Sequence, residues 1–143
     1  MDLQSIPGML ARLFLLLWKK MLSLRASGSS FDPEIIEQQG DEFVVILHIY
    51  PGSDEVVFTR LSAKGFDVAP ASVTHNSYGL FEFHRDGEWT KDEQQVRIVM
   101  PPKSRNESKK DVAVMIRPRA AAEHVKFVLS GGFMNRLTAK RVL

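Results

Sequence analysis

The sequence predicts a mainly β protein: an antiparallel two-layer β-sandwich of seven to eight short strands behind an amphipathic N-terminal helix. Three observations lead there. Runs rich in β-branched and aromatic residues recur from Glu42 onward, as in Phe43-Val44-Val45-Ile46-Leu47-His48-Ile49-Tyr50. Several runs alternate strictly, so that Val96, Ile98 and Met100 oppose Gln95 and Arg97, and Val125, Phe127 and Leu129 oppose His124 and Lys126. Turn chemistry separates the runs at Pro51-Gly52-Ser53-Asp54, Ser62–Gly65, Asn76-Ser77, Asp86-Gly87 and Pro101-Pro102. One-sided burial of this kind suits a sheet with one wet face.

The first element is of another kind. Residues 1–26 read as a basic amphipathic helix, started by Pro7-Gly8 and released by Ser27–Ser30. At about 100° per residue, Arg12, Lys19 and Ser23 share one face, with Lys20 beside them. Leu10, Leu13, Phe14, Leu17, Trp18, Met21 and Leu24 fill the remainder. The apolar run between Arg12 and Lys19 has six residues. A spanning helix needs about 20, so crossing a bilayer would bury a base. Lying in the interface is easier, with Trp18 near the headgroups and Lys19 and Lys20 reaching water. These residues are therefore the candidate contacts with a membrane surface or a partner protein. The nearly acid-free composition equally suits an organellar, for example mitochondrial, transit peptide. An ordinary core helix is the plain alternative.

Residues 27–41 read as a hinge and a short helix. Asp32 suits a cap, Pro33 the first helical position and Gly40 a left-handed exit. The sandwich is expected over 42–130. Phe43–Tyr50 and Glu55–Leu61 form its first hairpin, followed by strands over Gly65–Ala69, Ser72–His75, Gly79–His84, Gln94–Met100, Asp111–Arg117 and His124–Leu129. Residues 131–143 read as a basic tail, either a short helix or an exchanging segment.

Net charge is +2, but it is segregated: +3 over residues 1–31, −8 over 32–101 and +7 over 102–143. Such ends either fold back beside the acidic centre or seek an anionic partner or surface. Lys103, Arg105, Lys109 and Lys110 fall in one polar loop that could meet phosphate groups. Without interleaved aromatics, sequence-specific nucleic-acid binding is not supported.

Catalytic signatures are lacking. The chain has no cysteine, no Gly-x-Ser-x-Gly elbow and no phosphate-cradling glycine loop. His48, His75, His84 and His124 show no metal-ligand spacing, so no metal, cofactor or catalytic residue is expected. Asp86–Glu93 lacks the alternating carboxylates of a calcium loop.

The expected function is a non-enzymatic binding or assembly module, tethered to a membrane surface or larger complex by its N-terminal helix. Two alternatives stand beside it. One is a chaperone-like, self-assembling, homo-oligomeric sandwich, and the other is an enzyme or carrier with a cavity in the sandwich. Phe43–Gly52 with its Pro-Gly, and Val96–Lys103 with its Pro-Lys, are faintly similar to pieces of the small heat-shock protein domain. The similarity stops there, since that domain's glycine-leucine pair before the closing strand is missing.

Overall fold

A computed structural model describes residues 28–74, 81–103, 109–132 and 135–143. The expected N-terminal helix lies outside these residues. The remainder is mainly β, an antiparallel sheet of eight strands curled into a nearly barrel-shaped body. The strands are β1 (Ser30–Gln39), β2 (Glu42–Tyr50), β3 (Val56–Val68), β4 (Ser72–Thr74), β5 (Thr90–Met100), β6 (Lys110–Pro118), β7 (His124–Gly131) and β8 (Asn135–Val142). They follow the order β1-β2-β6-β3-β7-β8, with β4 on β6 and β5 on β3. The first and last strands of that order approach each other, which nearly closes the sheet.

The short helix expected within 27–41 is instead β1. It pairs with β2 from Ser30↔Tyr50 to Gln39↔Glu42, with a bulge between Ile35 and Glu37. Phe31 and Ile35 pack on the core, and Pro33, between them on the same face, is also buried. The strand tolerates Pro33 because it lies at an edge of the sheet. Gly40, with φ 64°, opens a two-residue turn into β2, the geometry of a type II′ hairpin.

The expected β2–β3 hairpin also gives way, because β2 pairs with β1 and β6. Ser62–Gly65, read as a turn, lies inside the single thirteen-residue strand β3. Gly65 (φ 91°) sits in a four-residue irregularity opposite Asp92 that bends β3. Before the bend β3 pairs with β7, and after it Phe66–Val68 pair with β6. Residues 81–84 are not a strand but part of a connection that reaches β5. The basic tail supplies β8, paired with β7 from His124↔Val142 to Gly131↔Asn135.

One core fills the body. Val45, Leu47 and Ile49 from β2 meet Phe58, Leu61, Ile98, Val112, Val114, Ile116, Phe127 and Leu129, all fully buried. β2, β6 and β7 contribute at alternate positions, as pleating demands, whereas the register shift between Phe58 and Arg60 sets Phe58 and Leu61 three apart. Burying one such side chain is worth roughly 1.5–3 kcal/mol. A smaller cluster lies on the outer face, where Phe83 and Trp89 cover Val44, Ala69 and Met115.

Candidate functional site

Three surface features of the described residues are built precisely enough in charge and position to be weighed as sites. The first is a polar cluster on the outer face of β1, β2, β6 and β4. His48 and Asp111 are register partners, and His48 Nδ1 lies 2.7 Å from Asp111 Oδ1. Its Nε2 lies 2.6 Å from Glu34 Oε2. Both contacts are donor bonds only when each ring nitrogen carries a proton. Lys109 Nζ reaches Asp111 Oδ1 at 3.3 Å, and the Thr74 hydroxyl donates to the Asp111 carbonyl at 3.2 Å. Asp111 is wholly buried, and its Oδ2 has no hydrogen-bond partner.

This geometry argues against chemistry at His48. A general base needs one ring nitrogen free for substrate, and here carboxylates occupy both. The two carboxylates lie on opposite sides of the ring, so they cannot converge with it on one ion. No group of three or more metal-ligating side chains occurs among the described residues. The cluster ties four strands in register.

The second feature is a chain of alternating charges across the opposite end of β2 and β6. Arg85 Nε lies 3.0 Å from Glu42 Oε2, an ion-pair distance without hydrogen-bond alignment, since that oxygen has no hydrogen-bond partner. Arg117 reaches Glu42 at 3.7 Å and Asp67 at 3.4 Å, and stacks 4.6 Å from the Trp89 ring centroid. Trp89 Nε1 donates to the Arg85 carbonyl at 2.7 Å. Trp89 is thus half-buried, holding the 81–89 connection onto the outer cluster.

Arg119 carries the chain on to Asp92, donating at 2.5 Å to the oxygen that also accepts the Gly65 amide at 2.8 Å. Asp92 adopts φ 67°, a conformation aspartate tolerates better than most residues. The Gly65 amide, then the Arg119 guanidinium, hold its carboxyl below the ordinary aspartate range. The folded protein therefore binds fewer protons there than the unfolded chain in acid. The stabilisation is complete above the ordinary aspartate range and disappears as pH falls through the depressed value. Asp92→Asn is expected to lower the thermal midpoint slightly near neutral pH and to leave it unchanged at the acid end. Thermal melts across the acid range check this, and parallel curves at every pH would refute it.

The third feature is cationic. Lys126 and Lys140 stand directly opposite each other on β7 and β8, and Arg136 opposes Ser130. Arg60 on β3 is the partner of Ser130 from the other side. Residues 124–143 contain four bases and no acid. Arg60 pairs with Glu93 at 3.4 Å, whereas no ion pair involves Lys126, Arg136 or Lys140 among the described residues.

The positions singled out in sequence divide as follows. Leu10, Leu13, Phe14, Leu17, Trp18, Lys19, Lys20 and Met21, together with Arg105, lie outside the described residues. Lys103 is exposed, and its backbone amide donates to the Gly52 carbonyl at 2.6 Å. Lys109 turns toward Asp111, as above. Lys110 is not an exposed loop base: it is 8% exposed at the start of β6, and its ammonium donates to the Val99 carbonyl. Burial pushes its pKa down. The structure therefore brings no basic cluster together from Lys109 and Lys110. The open cationic surface is the β7–β8 face, which sequence reading missed. Its signal was present as bases at alternate positions, Arg136 and Lys140, but strand register was needed to set Lys126 beside them.

No protein-family model, curated protein or solved structure matches the chain. Among the described residues no helix is long and apolar enough to cross a membrane.

Proposed function

We propose that this chain is a non-enzymatic binding and assembly module, a β-sandwich body held at a membrane surface by an amphipathic helix in residues 1–26. The observation that carries the reading is the filled interior. Side chains from β2 and β6 meet those from β3, β5 and β7 in one cluster, leaving the body's working surface on its outside. This two-sided packing also supports the sandwich description. A groove of about 550 Å³ runs along β5, but Thr90, Glu93, Gln94 and Gln95 line it with polar groups open to water. Ligand sites that bury small molecules are mostly apolar and enclosed.

The N-terminal segment supports the membrane version. Its apolar side, Leu10, Leu13, Phe14, Leu17, Trp18 and Met21, with Lys19 and Lys20 beside it, suits the interface between headgroups and acyl chains. The full chain is expected to float with phospholipid vesicles, and the triple variant Leu13→Asp, Phe14→Asp, Leu17→Asp to remain at the bottom of the gradient. Equal flotation of both removes the tether. Absence of flotation by the parent chain favours docking on a partner protein instead.

A further inference from the structure

We propose that the outer face of β3, β7 and β8 is a second membrane contact, an electrostatic surface that recognises anionic phospholipid headgroups. The inference rests on the membrane reading above and adds to it a site in the folded body.

The face is defined by register. Lys126 and Lys140 are direct cross-strand partners, and their neighbours along the strands on the same face are His124, Val128, Thr138 and Val142. Arg136 and Arg60 flank Ser130 from its two sides. Lys126, Arg136, Lys140 and His124 are exposed. Like charges placed directly opposite on adjacent strands are destabilising. Arg60 on the same face has an acid beside it, Glu93 at 3.4 Å, whereas Lys126 and Lys140 have none among the described residues. The acidic strand β1 approaches β8, yet no ion pair joins them among the described residues. The cationic surface is thus left open at a small cost to the fold.

An anionic membrane fits this surface better than a nucleic acid does. The face is a sheet surface with no Phe, Tyr or Trp on β7 or β8 pointing outward, since Phe127 is fully buried. Stacking on exposed aromatics, the main sequence-independent grip on single strands, is therefore not offered. Position matters as well. The N-terminal segment enters the fold through β1, the strand beside β8, so a leader lying in a membrane would be joined to the body next to the basic face. Single anchors bind membranes marginally, and a polybasic patch is a common second signal.

Two variants of the full chain test this: Lys126→Gln/Lys140→Gln, and the triple leader variant above. Partition is measured into phosphatidylcholine vesicles and into mixed phosphatidylcholine–phosphatidylserine vesicles, with a duplex and a single-stranded oligonucleotide as competitors. At about 1 kcal/mol per basic side chain near an anionic surface, the glutamine pair should lower binding to the mixed vesicles about thirtyfold at low salt. Binding to pure phosphatidylcholine should stay unchanged, and added salt should erase the difference between parent and variant. The variant should melt no lower than the parent, because the like-charge pair is gone.

An unchanged preference for phosphatidylserine overturns the inference, and if the leader variant is then lost from both vesicle types, the tether stands alone. Leader-variant binding equal to the parent's removes the tether instead. Equal loss of the glutamine variant from both vesicle types, with a lower melting temperature, also overturns the inference. So does displacement of the parent from mixed vesicles by stoichiometric oligonucleotide, which would assign the face to nucleic acid.

Discussion

Phe127→Ala is expected to destabilise the fold by about 3–5 kcal/mol, the usual cost of removing a buried aromatic ring and leaving its cavity. Phe127 is fully buried. It lies on β7, directly opposite Ala63 of β3, so a large side chain fills the space a small one leaves. Its ring belongs to the cluster that joins β2, β6 and β5 to β3 and β7. Total stabilities of domains this size run about 5–15 kcal/mol, so the variant would sit near the limit of folding. Urea denaturation checks the size of the effect, read as a lower midpoint at unchanged slope. Val128→Ala is the control, because Val128 is half-buried on the outer face. Similar losses at 127 and 128 would show that β7 does not present alternate residues to the core.

Gly131→Ala should come next, at about 3 kcal/mol, the upper part of the range for forcing atoms into packed structure. Here the reason is space. A Cβ at Gly131 would run into the Val57 carbonyl oxygen and lie 2.9 Å from the Phe58 Cα. Both obstacles are backbone, so no side chain can swing aside. Relief requires β7 to move from β3 at the place where their pairing begins, Arg60↔Ser130. Neighbouring Gly132 is a useful contrast: nothing crowds it, but its φ of 59° strains any alanine there. That substitution should cost about 1 kcal/mol, the price of an alanine in the left-handed region. Thermal or urea unfolding of the two variants separates steric from conformational cost, and equal losses would contradict the close approach at 131.

The alternating strands were legible because their chemistry and their geometry agree. Val96, Ile98 and Met100, or Val125, Phe127 and Leu129, can share a buried face only on a strand. β1 was not legible. Pro33 and Gly40 each satisfy two structures: a proline suits a first helical turn or an edge strand, and a glycine with positive φ suits a helix exit or a hairpin turn. The deciding signal was Phe31, Pro33 and Ile35 at every second position, outweighed in reading by Asp32 as a cap.

Strand partners were illegible for a different reason. Adjacent runs suggested β2 beside β3, but residues far apart in sequence chose β6, as His48 and Asp111 show. The basic loop misled because proximity in sequence was taken for proximity in space. Lys110 shares the inner-facing parity of Val112 and Val114, which carries it into the body. Lys126 and Lys140 meet only once β7 and β8 are paired.

The approach of β1 to β8 has a consequence for biosynthesis. The strand that completes the curled sheet is synthesised after every other described strand, so β1 waits for it through all the strands between. Until β8 arrives, the flank of β1 has no neighbour and the interior is open on one side. Closure of the body thus waits on β8 and is dominated by long-range pairings, which makes it slow. During that interval the nascent chain exposes its greasiest surfaces, and it has most need of a holding chaperone.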